Sequence, residues 1–143
     1  MDNNLIDLLC GKWRLSRKVK EFNITMIGTA EFAPLDKLSL CYKESGNYTL
    51  KQNEYNFFQK YTFAIQANKL LIIKNDASVL HEFTIPETTT YPVTLQHVHV
   101  CGRDTYNCQL ILHNSDFFEM LYEVKGQNKN YTIETNFNRT KPN

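Results

Sequence analysis

The residues Gly11-Lys12-Trp13-Arg14-Leu15-Ser16-Arg17-Lys18-Val19 mark the place where the sequence changes its repeat. Before this stretch, Leu5, Leu8 and Leu9 follow a helical spacing, and Gly11 is a typical residue for ending a helix. Within the stretch, every second residue belongs to one face, which begins at Trp13. The pattern predicts a short helix over residues 3–10 that leads directly into a first β-strand.

The stretches that follow repeat the two-residue period and are separated by tight turns. We expect further strands at residues 27–33, 38–44, 55–67, 70–74, 79–85, 94–101, 105–113, 117–125 and 130–139. The tripeptide Ser45-Gly46-Asn47 indicates a turn or bulge. Because no helices alternate with the strands, the sequence predicts an all-β fold, a single antiparallel barrel of nine or ten strands. Closure is favoured over a sandwich because it removes exposed strand edges.

Length and charge exclude several classes of protein. The chain has 143 residues, which corresponds to one domain over residues 1–143. Sixteen basic and 15 acidic residues give a net charge of +1, which excludes a nucleic-acid binder that depends on bulk positive charge. No window of about 20 apolar residues is present, so no membrane-spanning helix is expected.

The N-terminal residues and the cysteines indicate a reducing compartment. The apolar stretch around Leu5 is short, is interrupted by Asp7 and follows no basic residue, unlike a secretory signal. None of the four cysteines belongs to a C-x-x-C pair or to a zinc-type cluster. We therefore expect reduced thiols and a cytoplasmic protein.

The start of the first strand resembles a known signature. Gly11-Lys12-Trp13, placed after a short helix, is similar to the G-x-W motif of lipocalins and other calycins. The resemblance implies that Trp13 closes one end of the barrel and that a basic residue of the last strand packs across its ring. Arg139 is the matching residue. A guanidinium over an indole is a favourable cation–π arrangement.

A closer resemblance covers nearly the whole chain and is to a bacterial family of lipocalin-like domains of unknown function. The matching motifs are W-x-L-x-R at Trp13, Leu15 and Arg17; G-x-A-x-F at Gly28, Ala30 and Phe32; L-x-Y-x-E-x-G at Leu40, Tyr42, Glu44 and Gly46; H-x-C-x-x-D-x-Y at His99, Cys101, Asp104 and Tyr106; and G-x-x-K-x-Y at Gly126, Lys129 and Tyr131, with a closing Arg139. The chain departs from the family pattern at Gln127 and Asn130. The resemblance implies the fold and carries no activity.

Four polar residues fall on faces that otherwise predict the barrel interior: Arg17, Glu44, His81 and His99. A buried charge is costly unless it is paired, so Arg17 and Glu44 are expected to need each other or a ligand. One interpretation is an internal network that fixes strand register, and the other is a set of ligand anchors. Because a barrel makes interior side chains converge, we expect one ligand-binding site. Its remaining candidates are Tyr42, Tyr61 and Lys129.

Two chemical alternatives involve the histidines. His99, Asp104 and Tyr106 lie around one predicted hairpin and are candidates for acid–base catalysis. His97-Val98-His99 places two imidazoles on one side of a strand, where His81, His113 or Cys101 could add a metal ligand. No second metal motif accompanies them. We therefore predict no metal and no cofactor, and leave catalysis and haem ligation by His81 or His99 open.

The sequence thus predicts a barrel that binds a small, partly apolar molecule in its interior. The first alternative is an enzyme of small molecules that uses His99, Asp104 and Tyr106. The second alternative is a protein-interaction module whose barrel is filled. The expected partner is a small-molecule ligand, without nucleic acid or membrane, and the oligomeric state is left open.

Overall fold

The computed structural model describes residues 2–87 and 90–141 and consists of one short helix and ten antiparallel strands. The helix α1 spans Asp2–Leu9, and a 3-10 turn spans Lys20–Phe22. The strands are β1 (Gly11–Val19), β2 (Ile24–Asp36), β3 (Ser39–Leu50), β4 (Asn53–Gln66), β5 (Lys69–Ile73), β6 (Val79–Thr84), β7 (Val93–Cys101), β8 (Asp104–Asn114), β9 (Phe117–Lys125) and β10 (Asn130–Arg139). The predicted all-β architecture is confirmed.

The ten strands form a single sheet that curls into a nearly closed barrel. Their order is β6-β5-β4-β3-β2-β1-β10-β9-β8-β7, so the first and last strands of the chain are neighbours. Trp13 on β1 lies opposite Arg139 on β10, and Val19 lies opposite Ile133. Strands β6 and β7 are the two ends of the ladder. We call the boundary between β6 and β7 the seam. Here the two strands face each other through their side chains and are not joined by a backbone ladder.

Strand β3 differs from the prediction, because residues 45–47 lie inside the strand in continuous register and form neither a turn nor a bulge. β3 pairs with both neighbours through this segment, and the turn comes later, at Lys51 and Gln52, which both have positive φ. Gly46 lies opposite Gly28 of β2, and a Cβ on Gly28 would meet the Ser45 carbonyl oxygen at 2.1 Å. The glycine pair therefore permits a close approach of two strands on the inner face.

Helix α1 packs against one end of the barrel. Its side chains Leu5 and Leu9 are fully buried with Trp13. Trp13 Nε1 donates to the Leu9 carbonyl (2.9 Å), and the Arg139 guanidinium lies 4.2 Å from the Trp13 ring. Arg139 also donates to the carbonyls of Leu8 and Cys10 (2.9 Å for Cys10). The expected Trp–Arg contact is present, and it also satisfies carbonyls that the end of a helix leaves without partners.

The four cysteines are free thiols, and they differ in exposure. Cys108 is buried in the core, where burial raises the pKa of its thiol to about 12. Cys101 is exposed at the end of β7. Within the described residues, no helix has the length and apolar character needed to cross a membrane.

Candidate functional site

A partly open cavity of about 400 Å³ lies inside the barrel. Much of its wall is aromatic, and Phe32, Phe118 and Phe137 separate it from Trp13 at the closed end. Phe118 stacks on Phe137 at 4.3 Å and meets Trp13 edge-on at 4.7 Å. The volume lies within the range of about 300–1,000 Å³ that is typical of small-molecule pockets.

One side of the cavity carries a buried ion pair. Arg17 Nη1 donates to Glu44 Oε2 at 2.7 Å, and Arg17 Nη2 donates to Glu44 Oε1 at 3.0 Å. The side chain of Glu44 is 2% exposed and that of Arg17 is 14% exposed. Tyr42 donates its hydroxyl to Glu44 Oε1 (2.5 Å), and Thr135 accepts from Arg17 Nε (2.8 Å). This Arg17–Glu44 network presents polar atoms to the cavity without net charge.

The network also determines the protonation of its members. Burial opposes the charge of Arg17, but the hydrogen bonds and charge of Glu44 outweigh it and raise the arginine pKa. Burial raises the pKa of Tyr42 well above its ordinary value, and the neighbouring Glu44 carboxylate raises it further. Tyr42 therefore remains a hydroxyl donor. The ring of Phe57 lies 5.9 Å from the Arg17 guanidinium, on the side where Gly46 leaves space.

A histidine pair crosses the seam beside the same cavity. His81 on β6 lines the cavity, and its Nδ1 lies 3.2 Å from Nδ1 of His97 on β7. One ring donates and the other accepts in this contact, so both imidazoles can be neutral. The Tyr122 ring lies 5.4 Å from the His81 ring. The pair thus closes part of the seam that the backbone ladder leaves open.

The histidine pair predicts a loss of stability in mild acid. Burial, with smaller contributions from His97 and His99, lowers the pKa of His81 to about 4; burial and His99 also lower the pKa of His97. An unfolded chain binds these protons near pH 6.5, so it binds more protons than the folded chain below that pH. The contribution of the histidine pair to the free energy of unfolding should be complete above pH 6.5, and it should decrease as the pH falls towards 4.

We expect a decrease of about 1–2 kcal/mol between pH 7 and pH 5. Urea unfolding at a series of pH values measures it. His81→Leu should flatten the profile in this window, while His113→Asn, which removes an imidazole paired with Glu119 at 2.9 Å, serves as the control. An unchanged slope in His81→Leu would contradict the assignment.

The structure brings five of the seven predicted ligand-binding residues to the cavity. They are Arg17, Tyr42, Glu44, Tyr61 and His81.

His99 and Lys129 lie outside the cavity lining, so the expected convergence of all four inward polar residues does not extend to His99. His99 has the predicted face, since it alternates with the buried Leu95 and the half-buried His97. It is nevertheless exposed, because β7 runs beyond the packed part of the barrel.

The three acid–base candidates lie at the β7–β8 hairpin. Tyr106 is the cross-strand partner of His99, and their ring centroids are 6.1 Å apart. Asp104 faces Lys129 instead (3.5 Å), and Lys129 Nζ donates to the Tyr106 hydroxyl (3.3 Å). His99 and Asp104 both belong to the described part of the chain, and they form no hydrogen bond with each other. The carboxylate is therefore not positioned to orient the imidazole.

Sequence reasoning missed three polar residues of the cavity: Gln59, Tyr122 and Thr135. Gln59 alternates with Tyr61 on β4, and Thr135 alternates with Phe137 on β10, so strand period alone could have indicated them. Among the described residues, no group of three or more His, Cys, Asp or Glu side chains is placed so that it could hold a metal ion.

Comparisons with known proteins support the family and the fold. The model of a family described as "Family of unknown function (DUF6314)" matches residues 9–139. No curated protein matches the chain.

Several solved structures share the fold at low sequence identity. The S-type phycobiliprotein lyase CPES from Guillardia theta has a TM-score of 0.66 and 11% identity, with 98% of this chain and 93% of that chain covered. EF1p2_mFAP2b bound to DFHBI has a TM-score of 0.57 and 11% identity, with 98% and 100% covered. A fluorescence-activating β-barrel of de novo design has a TM-score of 0.55 and 10% identity, with 98% and 99% covered.

Proposed function

Since the chain belongs to the DUF6314 family, a family of unknown function, we propose its function from the barrel interior: it binds a small, partly apolar molecule there. The observation that carries the proposal is the cavity of about 400 Å³ with an aromatic wall and a few polar groups. Convergent polar groups in a largely apolar pocket are the usual composition of a small-molecule site.

The charges of the cavity indicate an uncharged ligand body. Arg17 is neutralised by Glu44, and the lowered pKa of His81 keeps this imidazole neutral near pH 7. A charged group inserted here would lose its hydration without gaining an unpaired counter-charge. Gln59 and Tyr122 offer polar atoms at the same wall. We therefore expect a neutral, largely aromatic or aliphatic body with one or two hydrogen-bonding groups.

The structural neighbours are consistent with this proposal. One of them is bound to DFHBI, and another is named a phycobiliprotein lyase. At about 11% identity these similarities support a shared barrel fold. A cytoplasmic location remains part of the proposal, and the free thiols of the chain are compatible with it.

The two alternatives from the sequence receive less support. A filled barrel would have no internal space, whereas this one has a cavity. An acid–base enzyme would need His99 and Asp104 to cooperate, whereas Asp104 pairs with Lys129. Turnover of a bound compound would still be the decisive observation for an enzyme.

The proposal can be tested by placing a larger side chain in the cavity from strand β2. Met26 lines the cavity, and the adjacent Ile27 is exposed on the outer face of β2. Met26→Trp should weaken saturable binding of N-phenyl-1-naphthylamine, a neutral fluorescent probe, because the larger indole takes up part of the ligand space. Ile27→Trp adds the same ring outside and should bind the probe like the native protein.

Two further measurements complete the test. Urea unfolding confirms that each variant is folded, and Ile133→Trp is a second filling variant should Met26→Trp be unstable. Mass spectrometry of small molecules that copurify with the native protein should detect a compound that is depleted in Met26→Trp. If Met26→Trp and Ile133→Trp both bind the probe as tightly as the native protein does, an internal site is refuted.

A further inference from the structure

The barrel wall is interrupted beside β4. This strand pairs with β3 over residues 53–64, but it pairs with β5 only over residues 62–66. The edge of β4 before residue 62 is therefore free of a β5 partner, because β5 and β6 are short. An open notch of about 420 Å³ lies here, between residues 58–61 of β4 and residues 74–76 of the β5–β6 turn.

The notch and the internal cavity lie next to each other along β4. Gln59 and Tyr61 line both of them. Tyr61 donates its hydroxyl to Gln59 Oε1 at 2.6 Å, and its ring stacks with Tyr42, which touches the Arg17–Glu44 network. A ligand that occupied both the cavity and the notch would therefore contact these two side chains.

Lysines without ion pairs surround the notch. Lys60 and Lys74 line it, and Lys43 lies directly opposite Lys60 on β3. Five other lysines of the barrel form ion pairs, namely Lys12, Lys20, Lys69, Lys125 and Lys129. Within residues 2–87 and 90–141, Lys43, Lys60 and Lys74 form none. The same is true of Lys18, Lys37, Lys51 and Lys141, which do not line the notch.

Two carboxylates lie near these lysines. Glu31, which neighbours Lys43 on β2, pairs with Lys12. Asp76 in the notch accepts from the backbone and the hydroxyl of Ser78 (3.0 and 2.5 Å), and these hydrogen bonds and the charge of Lys74 lower its pKa and keep it ionised. The notch lining therefore has the two positive charges of Lys60 and Lys74 against one negative charge. Like charges directly opposite each other destabilise a strand pair, so an anion beside Lys60 would relieve an existing repulsion.

We propose that the notch binds the anionic group of an amphipathic ligand whose uncharged apolar body lies in the cavity. The inference rests on the proposed function and adds the ligand class. The division of charge follows from the structure, because the interior is electrically balanced and the notch has excess positive charge. Phe58, which is 66% exposed, adds apolar surface to the notch.

Two probes with the same ring system separate the body from the anion. N-phenyl-1-naphthylamine is neutral, and 8-anilino-1-naphthalenesulfonate adds one sulfonate to the same skeleton. The native protein should bind the sulfonate more tightly at low salt, and added salt should remove this advantage. Lys60→Gln and Lys74→Gln should each weaken binding of the sulfonate about two- to fivefold and leave the neutral probe unchanged.

Lys125→Gln is the matched control, because Lys125 is an exposed lysine of β9 that pairs with Glu123. The inference is overturned if the native protein binds both probes equally, or if the notch variants behave like Lys125→Gln. If the neutral probe does not bind, or if Met26→Trp leaves its binding unchanged, the proposed function itself fails. Weakened neutral binding in Met26→Trp with no lysine effect refutes the notch alone.

Discussion

Trp13→Ala is expected to lower the free energy of unfolding by about 3–5 kcal/mol, the typical cost of removing a buried aromatic ring. The Trp13 side chain is fully buried, contacts Phe118 and donates to the Leu9 carbonyl. Its removal leaves a cavity and takes a hydrogen-bond donor from the end of α1. Urea unfolding, followed by circular dichroism, measures the loss.

Arg139→Ala should also be costly, by about 1.5–3 kcal/mol, because a charged donor to buried carbonyls is lost. Arg139 holds the carbonyls of Leu8 and Cys10 in addition to covering the Trp13 ring. Arg139→Lys should restore only part of the stability, since an ammonium cannot reproduce the planar fork. The double variant Trp13→Ala/Arg139→Ala should lose less than the sum of the single losses. Strict additivity would show that the two residues do not act together.

Glu44→Gln should lower the free energy of unfolding by about 3–5 kcal/mol, although it changes hardly any volume. The substitution leaves the guanidinium of Arg17 inside the barrel without its counter-charge. The two carboxylate oxygens of Glu44 accept hydrogen bonds from Arg17 and Tyr42. In the glutamine variant an amide NH₂ group, which cannot accept them, replaces one of these oxygens. Urea unfolding at pH 7 is the measurement.

The double variant Arg17→Met/Glu44→Leu is the critical control. It removes both charges together, so we expect it to recover most of the stability that Glu44→Gln loses, less the cost of leaving the Tyr42 hydroxyl without its acceptor. Glu134→Gln is the surface control, because the Lys20–Glu134 pair (2.8 Å) is exposed to solvent and should contribute little to stability. A Glu44→Gln variant as stable as Glu134→Gln would contradict a buried, mutually dependent pair.

The strand pattern could be predicted because it depends on local spacing. Alternation along residues 11–19 and 130–139 indicated two strands, and the structure pairs them with Trp13 opposite Arg139. The failure at residues 45–47 has a tertiary cause. Gly46 has the local character of a turn residue, yet it lies within a strand because Gly28 stands across from it.

The candidate site could be predicted only in part. Pairing of Arg17 with Glu44 follows from the cost of burying an isolated charge, and the structure contains that pair. His99 was placed on the correct face, but exposure depends on how far a strand extends beyond its neighbours, which spacing does not show. The contact of His81 with His97 likewise depends on two strands that meet without a ladder.

The sequence by itself therefore determined the strands, the inward faces and the helix that precedes Trp13, because these depend on side-chain period and on residues near in the chain. The tertiary structure decided the size of the cavity, the exclusion of His99 and Lys129 from it, and the notch beside β4. These features depend on the relative lengths and stagger of paired strands. Stagger is set by long-range pairing, which brings residues such as Tyr61 and Lys74 together across turns of the barrel.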